Sequence, residues 1–355
     1  MIATKAIPLM VPYIPPGTKE AVSAVLDSRW IGQGPLVDKF ERRFSEYIGR
    51  PCVAVSSCTA ALHLAYILAG IGPGDEVIAP LFTCTATNEP LLWMGAKIRF
   101  CDVAPNSLNM DVERAKSLIT ERTKAIVVVH YGGMPANRTL FRLGLPSIED
   151  CAQAIGPGWA GQAGEFACFS FQAVKHLTTQ DGGMLALPIS LTRRARCLRW
   201  FGIDRAAKLA GNWDNDITEV GYKYQLGDMS AAMGLHALPG LTAQITYRRS
   251  LRDAYRSNLS DLGGIQVIDQ DENSACWLMT VLVERRESLM AKLREEGIEC
   301  DLVHYRNDRY TIFKDFRGEF PNMDAIDGKY LCLPLHMWMD VEDVGRICEV
   351  IRGGW

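Results

Sequence analysis

The sequence predicts an α/β protein. A large domain over residues 1–240 is built on a mostly parallel sheet with helices on both faces, and a smaller α+β domain occupies 241–355. Two observations carry this prediction. Through the first two hundred residues, short apolar runs alternate with helical patterns, the arrangement that produces parallel strands under covering helices. Near Leu238-Pro239-Gly240 the character changes, and a long polar helical pattern over 242–258 joins the first part to a shorter second one.

The elements follow in order. Val53-Ala54-Val55 reads as a strand, and 60–69 as a helix with apolar residues at helical spacing. Gly72-Pro73-Gly74-Asp75 is a turn that delivers a strand over 76–79. Strands over 97–103 and 125–130 flank a helix over 111–119. Pro146-Ser147-Ile148-Glu149 runs into Asp150, and 166–171 is again strand-like. In the second part, strands fall over 275–283 and 329–335, and helices over 287–296 and 341–351. There are no internal repeats and no low-complexity segments.

Composition narrows the class. The 355 residues are 48% hydrophobic and 22% charged, enough to bury a sizeable core. Thirty-eight Lys and Arg against 41 Asp and Glu leave a formal charge of -3, without the basic footprint of a nucleic-acid binder. The densest basic run, Arg193, Arg194, Arg196 and Arg199, reads as a solvated helix face, with a phosphate-binding patch as the alternative. Eleven cysteines are scattered singly with no C-x-x-C pair, which argues against a zinc site or disulfide framework and for reduced thiols. Prolines interrupt the N-terminal stretch where a signal peptide needs a continuous apolar core, and no apolar run is long enough to span a membrane. A cytoplasmic location, with no metal, nucleic-acid or membrane partner, is the expectation.

Three segments carry chemistry. In Phe169-Ser170-Phe171-Gln172-Ala173-Val174-Lys175 a strand delivers a serine and, five residues on, a lysine among small and apolar neighbours. Desolvation there would lower the lysine pKa and make it a nucleophile towards an aldehyde; read alone, a surface lysine after a strand explains the segment as well. In Ile148-Glu149-Asp150-Cys151-Ala152-Gln153 an aspartate ends an apolar strand, where open α/β sheets bind ligands. Such a carboxylate suits pyridoxal 5′-phosphate, whose ring nitrogen must stay protonated for the ring to act as electron sink. Its plain alternative is a helix cap. In Ser56-Ser57-Cys58-Thr59-Ala60-Ala61-Leu62, small hydroxyl residues stand where a strand gives way to a helix, as an anion cradle or an ordinary N-cap.

Together these segments supply a lysine, a carboxylate and a phosphate cup. Their order, with Trp30-Ile31-Gly32-x-Gly34-Pro35, Gly72-Pro73-Gly74-Asp75-Glu76-Val77-Ile78, Glu149-Asp150-x-x-Gln153, Phe169-Ser170-Phe171-x-x-x-Lys175 and Leu333-Pro334-Leu335-His336, resembles the DegT/StrS-type sugar aminotransferases over nearly the whole chain. The resemblance implies an aspartate-aminotransferase-like large domain (fold type I), pyridoxal 5′-phosphate as cofactor, and a homodimer with active sites at the subunit interface. It implies transfer of an amino group from L-glutamate to a keto sugar on a nucleoside diphosphate. By the same likeness Lys175 is the Schiff-base lysine and proton shuttle, Asp150 pairs with the pyridine nitrogen, and Gln153 contacts the cofactor. Ser57, Cys58, Thr59 and Ser170 hold its phosphate. Trp30, Ile31 and Gly32 line the sugar-nucleotide site, and Asp181 borders the substrate.

Three positions depart from the family pattern. Cys84 follows Phe82-Thr83 where many members carry an aromatic residue that stacks on the cofactor ring, and a thiol offers less area. Lys223, in Gly221-Tyr222-Lys223-Tyr224, replaces an asparagine that reaches across the dimer to the cofactor phosphate; it is either a charge-assisted substitute or a surface lysine. His176 replaces an asparagine next to Lys175; a packed or surface histidine is the better reading there, with a substrate contact as the alternative. His130, Tyr131 and His336 are further candidates that also read as structural. Sugar 3-dehydratases that resemble this group can carry histidine at the lysine position, so Lys175 favours transamination over dehydration; a non-catalytic regulator of the same fold is the remaining alternative.

Overall fold

The computed structural model describes residues 6–156 and 158–355. Helices α1 (Thr18–Ser28) and α2 (Pro35–Ile48) come first. The chain then runs through β1 (Cys52–Val55), α3 (Cys58–Leu68), β2 (Glu76–Pro80), β3 (Phe82–Thr83), α4 (Thr85–Trp93), β4 (Lys97–Cys101), α5 (Val112–Ser117) and β5 (Thr123–Val129). Next come β6 (Ser147–Asp150), β7 (Phe166–Ser170), β8 (Gly183–Ala186), α6 (Thr192–Leu198), α7 (Arg205–Leu209) and α8 (Asp228–Ala237).

Seven of these strands form one sheet in the order β1-β8-β7-β6-β5-β2-β4. Neighbours from β7 to β4 run parallel; β8 lies antiparallel between β1 and β7. Every residue of β1, β2, β6, β7 and β8 is buried, as strands covered on both faces must be, so apolar runs rather than alternation mark them in the sequence. One face packs on α3, whose Leu62, Leu64, Ala65 and Tyr66 enter the largest apolar cluster. The other packs on α2 through Phe40 and Phe44.

Helix α9 (Leu241–Leu259) opens the second half. Despite its polar composition it buries Leu241, Ile245, Leu251, Tyr255 and Leu259 on one stripe. There follow β9 (Ile265–Val267), β10 (Met279–Val283), α10 (Arg286–Glu295), β11 (Tyr305–Arg306), α11 (Pro321–Ile326), β12 (Tyr330–Leu333) and α12 (Val341–Arg352). An antiparallel sheet β12-β10-β9 carries this half, while β11 pairs with β3 of the first half. The strand expected over 275–283 begins only at Met279, because Ala275 and Trp277 spend their amides on the carbonyls of Gly133 and Gly132. Among the described residues, no helix is long and apolar enough to cross a membrane.

The basic run lies mainly on α6, and each of its four arginines meets a carboxylate. Arg193 pairs with Asp204 at 2.9 Å, Arg194 with Glu219 at 2.6 Å and Arg196 with Glu41 at 2.7 Å, and Arg199 also binds Glu41. With those charges met internally, the run is not an open phosphate patch.

Candidate active site

The site forms at the carboxyl ends of β1, β6 and β7, where the chain leaves the sheet. Ser57, in extended conformation, caps α3: its hydroxyl accepts from the Ala60 amide at 3.1 Å. The Cys58 and Thr59 amides are left at the open end of the helix, an arrangement that attracts an anion. Ser170 ends β7 and pairs in register with Gly183, which pairs in turn with Val55, so the three line up beside this cup. A Cβ on Gly183 would come within 2.5 Å of the Ser57 carbonyl carbon, so only glycine lets β8 pass so close to the helix start.

Asp150 ends β6, 3% exposed. Its carboxylate accepts from the Thr87 hydroxyl at 2.7 Å and from the Ala152 amide at 2.9 Å. Burial pushes its pKa up, against those two hydrogen bonds and the Lys175 charge. A carboxylate offers about four acceptor positions, so Asp150 retains capacity for another donor.

Lys175 follows a turn in which its amide donates to the Gln172 carbonyl at 2.9 Å. Burial lowers its amine to about 8, opposed by Cys84, Asp150 and Cys58 nearby. The amine nitrogen lies 3.3 Å from the ring centroid of Trp277. That indole donates to the Val174 carbonyl at 3.0 Å and stacks on His304 with centroids 5.9 Å apart. Gln153 completes the group: its carbonyl accepts from the Gly132 amide at 2.6 Å and its NH2 donates to His304 Nε2 at 3.1 Å. Burial, with the Lys175 charge, holds His304 down to about 3, so the ring is neutral and can accept.

A nucleophilic amine, a buried carboxylate with spare acceptor capacity and a helix N-terminus for an anion are what a phosphorylated aromatic aldehyde requires. The residues present fit pyridoxal phosphate on these grounds. Comparison with known proteins agrees. Residues 13–352 match the DegT/DnrJ/EryC1/StrS aminotransferase family. The chain belongs to this family.

Among its relatives is a UDP-4-amino-4-deoxy-L-arabinose–oxoglutarate aminotransferase of Shewanella sediminis, 33% identical over 99% of this chain and 98% of the relative. The sugar aminotransferase CalS13 from Micromonospora echinospora superposes with a TM-score of 0.92 at 33% identity, covering 98% of this chain and 100% of that one. A Streptococcus pneumoniae sugar-aminotransferase candidate, solved in its PLP form, superposes at 0.92 with 26% identity, covering 98% of each chain.

Within this DegT/DnrJ/EryC1/StrS aminotransferase the departures separate. Cys84 is the N-cap residue of α4; the residue is exposed, but partial desolvation of its thiol raises the pKa. The Asp150 and Lys175 charges both act on its thiol, so it lies in their neighbourhood. Lys223 is exposed, pairs with Trp200 in an isolated bridge and holds its amine 5.2 Å from the Phe201 ring centroid. His176 is packed in the core, which sets aside the substrate contact: its Nε2 donates to the Ala275 carbonyl at 2.7 Å, and burial and the Arg248 charge hold its pKa well below the usual value. Asp181 is exposed at the entry to β8.

Trp30, Ile31 and Gly32 form an exposed loop held from beneath. The Asp228 carboxylate accepts from the amides of Gly34 at 2.9 Å, Leu36 at 3.2 Å and Val37 at 3.0 Å. Its own amide donates to the Gly32 carbonyl at 2.8 Å. A residue 194 positions away thus caps α2 and fixes the loop.

His130, Tyr131 and His336 are structural. His130 Nε2 donates to Glu149 at 2.9 Å while its Nδ1 accepts from the Ala136 amide at 3.0 Å. Glu149 also accepts from the amides of Gly161, Ala163 and Gly164. Cys151 lies beside this pair, but hydrogen bonds already commit the His130 and Glu149 atoms that would ligate an ion. Tyr131 is fully buried, and His336 Nε2 donates to the Pro8 carbonyl at 2.9 Å. Trp277, His304 and Thr87 escape sequence reading, since an isolated tryptophan, histidine or threonine carries no spacing signal.

Proposed function

We propose that this protein transfers an amino group from L-glutamate to a keto sugar carried on a nucleoside diphosphate, with Lys175 as its covalent and proton-carrying residue. The observation that carries the reading is the Lys175 amine, lowered to about 8 by burial and close enough to the buried Asp150 for their charges to act on each other. The Shewanella relative, named for an aminated UDP-sugar and oxoglutarate, supports both substrates.

Pyridoxal phosphate, when bound, supplies an electron sink for the carbon that gains or loses the amino group. Asp150 would hold the proton on its ring nitrogen, and Gln153 its ring hydroxyl. Ser57, Cys58 and Thr59 at the start of α3, with Ser170, would hold the phosphate. Cys84 would cover a ring face. Lys175 Nζ would take the proton from the donor carbon and return it to the acceptor. The Trp30-Ile31-Gly32 loop and Asp181 would receive the sugar nucleotide.

We read the working unit as a homodimer. Leu209, Trp213, Ile217 and Val220 are 71%, 74%, 52% and 79% exposed within one short stretch, more apolar surface than a solvated arm carries without a partner. Lys223 beside that arm would then reach the cofactor phosphate of the second copy. On the same reading residues 1–240 form the cofactor-binding domain and 241–355 the smaller one, and the enzyme works in the cytoplasm.

The test is an absorbance spectrum of the full chain with pyridoxal phosphate, before and after L-glutamate. A near-visible band that bleaches with glutamate, and is absent in Lys175→Ala, is the expected result. A band indifferent to glutamate would move the reaction to another donor or to dehydration, and no band would end the enzyme reading.

A further inference from the structure

We propose that Trp277 positions the Lys175 amine, its indole face receiving the ammonium whenever the lysine is not joined to the cofactor. The inference rests on Lys175 being the reactive lysine, and extends that reading to a residue on the loop before β10. The amine nitrogen lies 3.3 Å from the ring centroid, within the distance at which an aromatic face attracts a cation. The indole cannot drift. Its N–H is fixed on the Val174 carbonyl, its backbone amide on the Gly132 carbonyl at 2.8 Å, and its ring stacks with His304, itself held by Gln153. Trp277 is 4% exposed, so the face is kept for the lysine and not for solvent.

The need for such a face follows from the groups around the amine. Asp150 from β6, Cys84 at the start of α4 and Cys58 at the start of α3 favour the charged form, while burial and the neutral His304 ring offer it no compensation. His176, next in sequence, is turned to the Ala275 carbonyl. A half-buried lysine with a flexible stem would otherwise be free to swing to water between turnovers. The indole retains it where the aldehyde arrives, charged enough to stay and depressed enough to lose its proton near neutrality.

The test reads the amine itself. Competitive acetylation of the purified full chain across pH 6–11, before pyridoxal phosphate is added, reports the Lys175 titration midpoint by peptide mass spectrometry. In Trp277→Leu, which keeps the pocket apolar but removes the π face, the midpoint is expected to fall by about one pH unit. Trp277→Phe should stay close to wild type. An unchanged midpoint in Trp277→Leu overturns the proposal, as does a midpoint in Trp277→Phe that matches the leucine variant. Should Trp277→Leu not fold, Lys175→Met tests the same contact from the other side. Indole emission of the wild type should then show a pH transition near 8 that Lys175→Met abolishes, and a transition that survives overturns the proposal. Adding pyridoxal phosphate should protect Lys175 from acetylation. If it does not, the reactive-lysine reading falls, while the acetylation midpoints still decide whether Trp277 holds the amine.

Discussion

Lys175 shows how one residue balances stability against chemistry. Because burial lowers its pKa in the folded chain, the unfolded state binds more protons between about 8 and the ordinary lysine value of 10.5. Folding stability should therefore rise with pH through that window, and below it the charged amine weighs against folding. Lys175→Met should stabilise the cofactor-free protein at pH 7 by about 1–2 kcal/mol, after allowance for the partial exposure of the side chain, and thermal melting checks it. The same variant should lose turnover by about 10²–10⁴-fold, the usual worth of a positioned proton carrier. Capture of pyridoxal phosphate by the wild type should accelerate as pH rises through about 8, since only the neutral amine attacks an aldehyde; stopped-flow absorbance reads this directly.

At the scale of elements, two buried carboxylates join parts of the chain that local sequence leaves separate. Asp228 caps α2 from the first residue of α8 and holds the Trp30 loop. Asp228→Ala should cost about 2 kcal/mol and shift the Trp30 emission, whereas Asp228→Asn, which keeps one acceptor, should cost less. Glu149 joins β6 to the loop through Gly161, Ala163 and Gly164, and to His130. Burial alone would raise its pKa, but the His130 contact and those amides outweigh it, so the net shift is downward. Its stabilising contribution is present above the ordinary carboxylate pKa and is lost as pH falls through the lowered one. Glu149→Ala, which leaves three amides and an imidazole without their acceptor, should cost about 3–5 kcal/mol by denaturant titration.

For the whole molecule, the exposed arm and Lys223 bear on the proposed homodimer. Trp213→Glu should convert a dimer to a monomer in sedimentation and remove activity. Lys223→Ala should leave the dimer intact and weaken cofactor binding about 10-fold, as expected for loss of one charge-assisted contact. The pairing of β11 with β3 ties the second half of the chain to the turn before Cys84.

The parallel sheet, the long helix after Leu238-Pro239-Gly240 and the order of the reactive segments were legible in the sequence, because each is written in local pattern. Buried strands show as apolar runs, and a strand followed by Asp150 or Ser170 marks a carboxyl edge. The antiparallel β8 was not legible. Only the sheet shows that Gly183 passes the Ser57 backbone. Tertiary structure alone decided that His176 turns into the core, that Asp228 caps a helix 194 residues earlier and that Trp277 faces the lysine. Such contacts join residues remote in sequence, or depend on the rotation of a single turn. Periodicity carries no information about either, so they emerge only when the sheets and helices have packed.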